Sequence, residues 1–273
     1  LWLSRAIGSL LGRLLYKFES RACKVARINL KLCFPDLERG PREEICRKRM
    51  LHIGQTLCET PRLWKKSPSW LDDRILSIDG LEYFIGAVES KKGTVLLVPH
   101  QGNWEVVGLW VAQKTTITSL YEPPKLSALE DWIKTSRQTS GATLVPTNSR
   151  GVAALLQALR RGETIGILPD QQPPLSAGKF APFFGVPALT MTLIHKLLQR
   201  CEANVLFCTA LRIKGGWSVC FMKCDPSIYS SDQSVSVCAL NRGVEKIADL
   251  EPTQYQWEYK RFRKQPEGTT SVY

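Results

Sequence analysis

Residues 94–110, TVLLVPHQGNWEVVGLW, hold the side chains best suited to chemistry: a histidine, His100, and a carboxylate, Glu105, five positions on. An imidazole titrates near neutral pH, so it can take a proton from a hydroxyl group. A carboxylate on its second ring nitrogen would fix the ring and steady the imidazolium that forms. His100 is thus expected as general base and Glu105 as its orienter. Such a base contributes about 100 to 10,000-fold in rate, so the rest of any acceleration must come from positioning and from stabilising an oxyanion. The chain contains no GxSxG elbow, no GxxxxGK[ST] loop and no HExxH pair. Direct transfer to a substrate hydroxyl, without a covalent enzyme intermediate, fits this better than serine, phosphate-loop or zinc chemistry, and neither cofactor nor metal is expected.

The elements that must position this pair follow from the pattern of apolar runs. β-rich runs at 94–99, 115–121, 143–145, 164–168, 205–213 and 217–222 are separated mostly by helical stretches. That alternation predicts an α/β fold: a central, mostly parallel sheet flanked by helices, closed by an antiparallel pair around Gly215 and Gly216. His100 then sits where sites of such folds lie, at the carboxyl end of a strand. No repeat, linker or low-complexity tract divides the 273 residues, so one domain is expected, with a helical, membrane-associating region at 1–66 and a catalytic core at 80–273.

The N-terminal region carries most of the argument for a partner surface. Residues 1–16 are apolar but interrupted by Arg5 and Arg13, which predicts a segment lying on a membrane instead of crossing it. Arg13, Lys17, Arg21, Lys24, Arg27 and Lys31 recur at spacings of four and three, as one stripe of a helix, beside an apolar flank of Phe18, Ala22, Val25 and Leu32. A further helix is expected from Pro41 to Trp64. The net charge of +12 calls for an anionic partner; no nucleic-acid motif is present, and none is expected as partner. Nine scattered cysteines without a CxxC pair suit a reducing compartment.

The segment HQGNWE is similar to the His-x4-Glu/Asp signature of the glycerolipid acyltransferase superfamily, with His100 and Glu105 in the signature positions. NLKLCFPDL at 29–37, ILPDQQ at 167–172, APFFGVPALT at 181–190 and QYQWEYKRFRKQPEG at 254–268 resemble, in order, successive blocks of the lipid A lauroyl/myristoyl acyltransferase family. The likeness runs along nearly the whole chain. It implies transfer of a fatty acyl group from acyl carrier protein to a hydroxyl of an anionic glycolipid acceptor, at the cytoplasmic face of the cell inner membrane. It also implies roles for Arg137, in phosphate binding or thioester polarisation, and for Asp170, in binding or in structure. Asn103 and Gln171, within the same blocks, are counted with them as substrate-binding. Two features stay open at this level. The run APFFGVPAL could wall an acyl groove or fill the core. Lys260, Arg261, Arg263 and Lys264, interleaved with Trp257 and Phe262, could meet headgroups or form a solvated tail.

Overall fold

The computed structural model describes residues 1–121 and 141–273. Three helices come first: α1 (Trp2–Lys17), α2 (Arg21–Cys33) and α3 (Arg39–Leu63). α1 and α3 approach to backbone contact, because a Cβ on Gly8 or Gly12 would strike the α3 backbone at Gly54 or Met50. The short helix α4 (Pro68–Asp72), started by a Ser67 cap, leads into β1 (Ile75–Asp79) and α5 (Leu81–Glu89). The central elements are β2 (Thr94–Leu97), α6 (Trp104–Lys114), β3 (Ile117–Tyr121), β4 (Thr143–Pro146), α7 (Ser149–Arg160) and β5 (Thr164–Ile167). A hairpin of β6 (Gly178–Phe183) and β7 (Val186–Met191) follows, then α8 (Leu193–Leu198), β8 (Asn204–Ile213), β9 (Gly216–Lys223) and α9 (Gln233–Leu250).

The main sheet has seven strands in the order β1-β9-β8-β2-β5-β3-β4. Strands β8, β2, β5, β3 and β4 run parallel, and β9 returns antiparallel to β8 through Gly215 at φ +86°. The predicted α/β architecture and its antiparallel closure are both present. The central strands β2 and β5 are buried at every position, as expected of a sheet covered on both faces. One face packs on α2, α7 and α9 through residues such as Leu30, Leu155, Phe207 and Leu240, the other on α5 and α6 through Phe84, Val107 and Phe221.

Three expectations are corrected. The basic stripe does not lie on one helix: the chain breaks at Phe18–Ser20, where Glu19 takes φ +45° and the Ser20 hydroxyl caps α2 by accepting from Cys23 N. The apolar flank of α2 is core, since Val25 is buried and Ala22 and Leu32 pack against the cluster that holds Leu30. On α1, by contrast, Trp2, Leu3, Ile7, Leu10, Leu14 and the adjoining Phe18 stand exposed. Within the C-terminal basic cluster Arg261 is neither solvated nor free for a headgroup, for it is buried and donates to Leu189 O, Thr190 Oγ1 and Asn241 Oδ1, while Arg263 stays exposed. Trp257 and Phe262 are buried with it, packed with Phe34, Phe183 and Phe184 as aromatic bodies seek one another in a core. The APFFGVPAL run is the β6–β7 hairpin, turning on Phe184 and Gly185, both at positive φ. Phe183 is core. Among the described residues no helix is long and apolar enough to cross a membrane.

Candidate active site

The parallel pair β2 and β5 is in register with Leu97 opposite Ile167. Three residues further on from each of these stand His100 and Asp170, brought side by side at the carboxyl ends of neighbouring strands. His100 Nδ1 lies 2.8 Å from Asp170 Oδ1, and the His100 backbone N–H donates to Asp170 Oδ2 at 2.9 Å. A carboxylate only accepts, so in the neutral ring the proton sits on Nδ1 and Nε2 keeps its lone pair. The Gln171 side-chain amide donates to that lone pair at 3.2 Å, and also to Gln256 Oε1 at 3.0 Å. Trp104 meets the imidazole edge-on, with ring centres 4.8 Å apart.

Burial of Asp170 works to raise its pKa, but the His100 imidazole and the bonds His100 makes to the carboxylate outweigh it, leaving Asp170 below the ordinary carboxylate range. The buried phenol of Tyr255 is pushed well up, by burial first and by Asp170 second. Asp170 is thus the fixed negative charge of the site.

Glu105 is buried in the first turn of α6 and accepts from the Trp64 indole N–H at 3.0 Å. The ring contact that the sequence spacing gave to Glu105 therefore belongs to Asp170. Five residues on from His100, Glu105 has already been carried round the start of the helix, and it lines the groove beside the imidazole instead. Asn103, by contrast, is not at the groove. It is fully buried and donates through Nδ2 to Glu59 Oε2 at 3.1 Å. Gln171 and Asp170 are at the imidazole. Arg137 lies outside the described residues.

The turn from His100 to Asn103 is pinned from below. Gly102, at φ +59°, runs so close to Ala210 O that a Cβ would collide with it. Asn103 N donates to Ala210 O, and Gly102 N to Gln254 O. Arg212 donates to Gly102 O at 3.0 Å and to Glu59 Oε2 at 2.7 Å, while Glu59 Oε1 accepts from Arg5. Burial pushes the Arg212 guanidinium down to about 10, against the pull of Glu59. Nothing in the sequence flagged Glu59 or Arg212, because each lies in an unremarkable stretch of its own element. Gln256 stood in a family-like block but carried no separate signal.

From His100 an apolar groove of about 320 Å³ runs past Trp104, Gly108, Leu109, Ile117, Leu120 and Leu168. Fold and site together define an α/β enzyme whose strand-end histidine, paired to a buried carboxylate, opens onto a cleft able to hold a hydrocarbon chain. The family described as bacterial lipid A biosynthesis acyltransferase matches residues 2–264, and the chain belongs to it. It is therefore an acyltransferase. The chain is 27% identical to a lipid A biosynthesis palmitoleoyltransferase of Escherichia coli (strain K12), over 98% of this chain and 87% of that one. A lipid A biosynthesis lauroyltransferase of the same organism is also 27% identical over the same shares, 98% and 87%. A lipid A biosynthesis acyltransferase of Haemophilus influenzae is 30% identical over 94% of this chain and 83% of that one.

Proposed function

We propose that this acyltransferase moves a fatty acyl group from acyl carrier protein to a hydroxyl of an acylated, phosphorylated lipid A precursor, with His100 as general base. The observation that carries the reading is the His100–Asp170 pair standing at the head of an apolar groove. The acceptor O–H gives its proton to Nε2 as its oxygen attacks the thioester carbonyl carbon. The tetrahedral oxyanion collapses, the C–S bond breaks, and the departing thiolate takes the proton back from the imidazolium. Ester and free thiol are the products. Asp170 holds the Nδ1–H tautomer throughout and offsets the imidazolium charge.

Gln171 is assigned to the acceptor. Its amide occupies Nε2 in the resting site, so an incoming hydroxyl must displace that N–H, which is then free to donate to the hydroxyl oxygen. Glu105, fastened by Trp64 on the groove wall, is assigned to substrate positioning, and the groove to the acyl chain. The exposed apolar face of α1 supports action at a membrane surface, where apolar side chains gain by entering the headgroup boundary, and the surface is assigned to the cytoplasmic side of the inner membrane.

Acyl transfer from acyl carrier protein thioesters to a tetra-acylated lipid A precursor in detergent tests this directly. His100→Ala is expected to abolish transfer while the protein stays folded. Full transfer by that variant would sink the mechanism, and no transfer by the unaltered chain would point to a different acceptor.

A further inference from the structure

Away from His100, three cations gather around one indole. The guanidinium of Arg62 lies 6.0 Å from the Trp70 ring centre, the Lys66 ammonium 5.6 Å and the Arg74 guanidinium 5.6 Å. Arg62, Trp70 and Arg74 line an open groove of about 630 Å³ together with Trp2, Arg5 and Lys214. Nearby acids do not neutralise the group. Asp72 pairs with Lys114 at 3.4 Å, and Arg74 reaches only the backbone carbonyl of Asp73. Among the described residues Arg62, Lys66, Arg74 and Lys214 make no ion pair, and the buried Nε of Arg62 has no hydrogen-bond partner.

Like charges held at one ring repel, and each indole contact offsets only part of that cost. A buried guanidinium N–H without an acceptor adds to it. Both are relieved by one occupant, an oxyanion with several acceptor oxygens, for which a guanidinium fork is the matching donor. The neighbourhood says what carries the anion. Trp2, on the groove wall, begins the exposed apolar row that continues through Leu3, Ile7, Leu10 and Leu14.

We propose that the groove around Trp70 binds the phosphate of a membrane-lipid headgroup, with Arg62, Arg74 and Lys214 as its donors and the lipid chains lying along α1. The site is separate from the reaction at His100, so it is tested by binding and not by turnover.

The test is sedimentation of the full chain with phosphatidylcholine vesicles doped with phosphatidylglycerol or, in a second arm, with a phosphorylated glycolipid. Replacing the three cations together (R62Q, R74Q and K214Q) is expected to weaken binding about 100-fold, from the usual contribution of a basic side chain at an anionic surface. A control with the same loss of charge on another face (K24Q, K31Q and R39Q) is expected to weaken it about tenfold or less. Trp70→Leu, which leaves the charge untouched, should weaken binding on its own, with circular dichroism confirming the fold. Equal losses in the two triple variants would overturn the proposal, reducing the groove to general surface charge. Release from vesicles by inorganic phosphate beyond that caused by chloride at equal ionic strength would overturn the lipid assignment. So would unchanged vesicle binding accompanied by lost affinity for acyl carrier protein. Binding in either lipid arm that depends on all three cations supports the site, and the tighter arm names the headgroup.

Discussion

At the scale of single residues, the two carboxylates near His100 can be told apart by what each touches. Asp170 holds Nδ1 at 2.8 Å, whereas Glu105 receives the Trp64 indole. Asp170→Asn keeps the shape but presents an amide to Nδ1, so it favours the wrong tautomer and leaves the imidazolium without its counter-charge. A fall in kcat of about 1,000-fold is expected from the usual worth of an oriented base. Glu105→Gln should cost less in kcat and show chiefly in KM. Steady-state kinetics on the two variants separates these roles, and the reverse order would return the orienting role to Glu105. His100 was legible in the sequence because an apolar run ending in Pro-His announces a strand end. Asp170 also stood at a strand end, in TIGILPD, but its contact with His100 was not legible. That contact depends on β2 and β5 being neighbours in register, which no local pattern encodes.

At the scale of elements, the turn 100–103 is only as good as its footing. Glu59 is fully buried and joins α1, α3, β8 and the turn through Arg5, Arg212 and Asn103. Glu59→Ala leaves the Arg212 charge buried and uncompensated, a change that typically costs about 3–5 kcal/mol. Urea unfolding is expected to show a loss of that size, and a loss under about 1 kcal/mol would mean that water replaces the carboxylate. Gly102→Ala meets both a left-handed backbone and the Ala210 carbonyl. It should displace the histidine and lower kcat, whereas Gly268→Ala, also at positive φ but with open space around it, is expected to leave activity unchanged. Strands β2, β3, β4, β5, β8 and β9 were readable from their apolar runs. The β6–β7 hairpin was not, because Phe183, Phe184 and Val186 read equally as groove wall or core, and only contact with Phe34, Trp257 and Phe262 decides between them.

At the scale of the whole molecule, acid is expected to loosen the protein through His52. Burial, with Arg212 and Arg49 nearby, lowers its pKa to about 3 from an ordinary value of 6.5. Between those values the unfolded chain binds a proton that the folded chain refuses, so stability is full above pH 6.5 and falls as pH drops through that window. The urea midpoint should therefore decline from pH 7 to pH 5, and decline less in His52→Gln. The outer face of α1 makes a second prediction at this scale. Replacing Ile7 and Leu10 together by serine, both exposed and clear of the Gly8–Gly54 contact, should leave melting unchanged while weakening vesicle binding about tenfold or more.

The crossing of α1 on α3 at Gly8, Gly12 and Gly54 admits no side chain between the two backbones. α3 in turn reaches the turn 100–103 through Glu59 and the groove wall through Trp64. A helix resting in a lipid monolayer would thus share one stiff body with the histidine, and the height of the imidazole above the acyl boundary would be a constant of the fold. The enzyme would work as a depth gauge. A hydroxyl carried at that altitude would be acylated, and a chemically identical one riding a few ångströms higher or lower would be passed over without any contact having refused it.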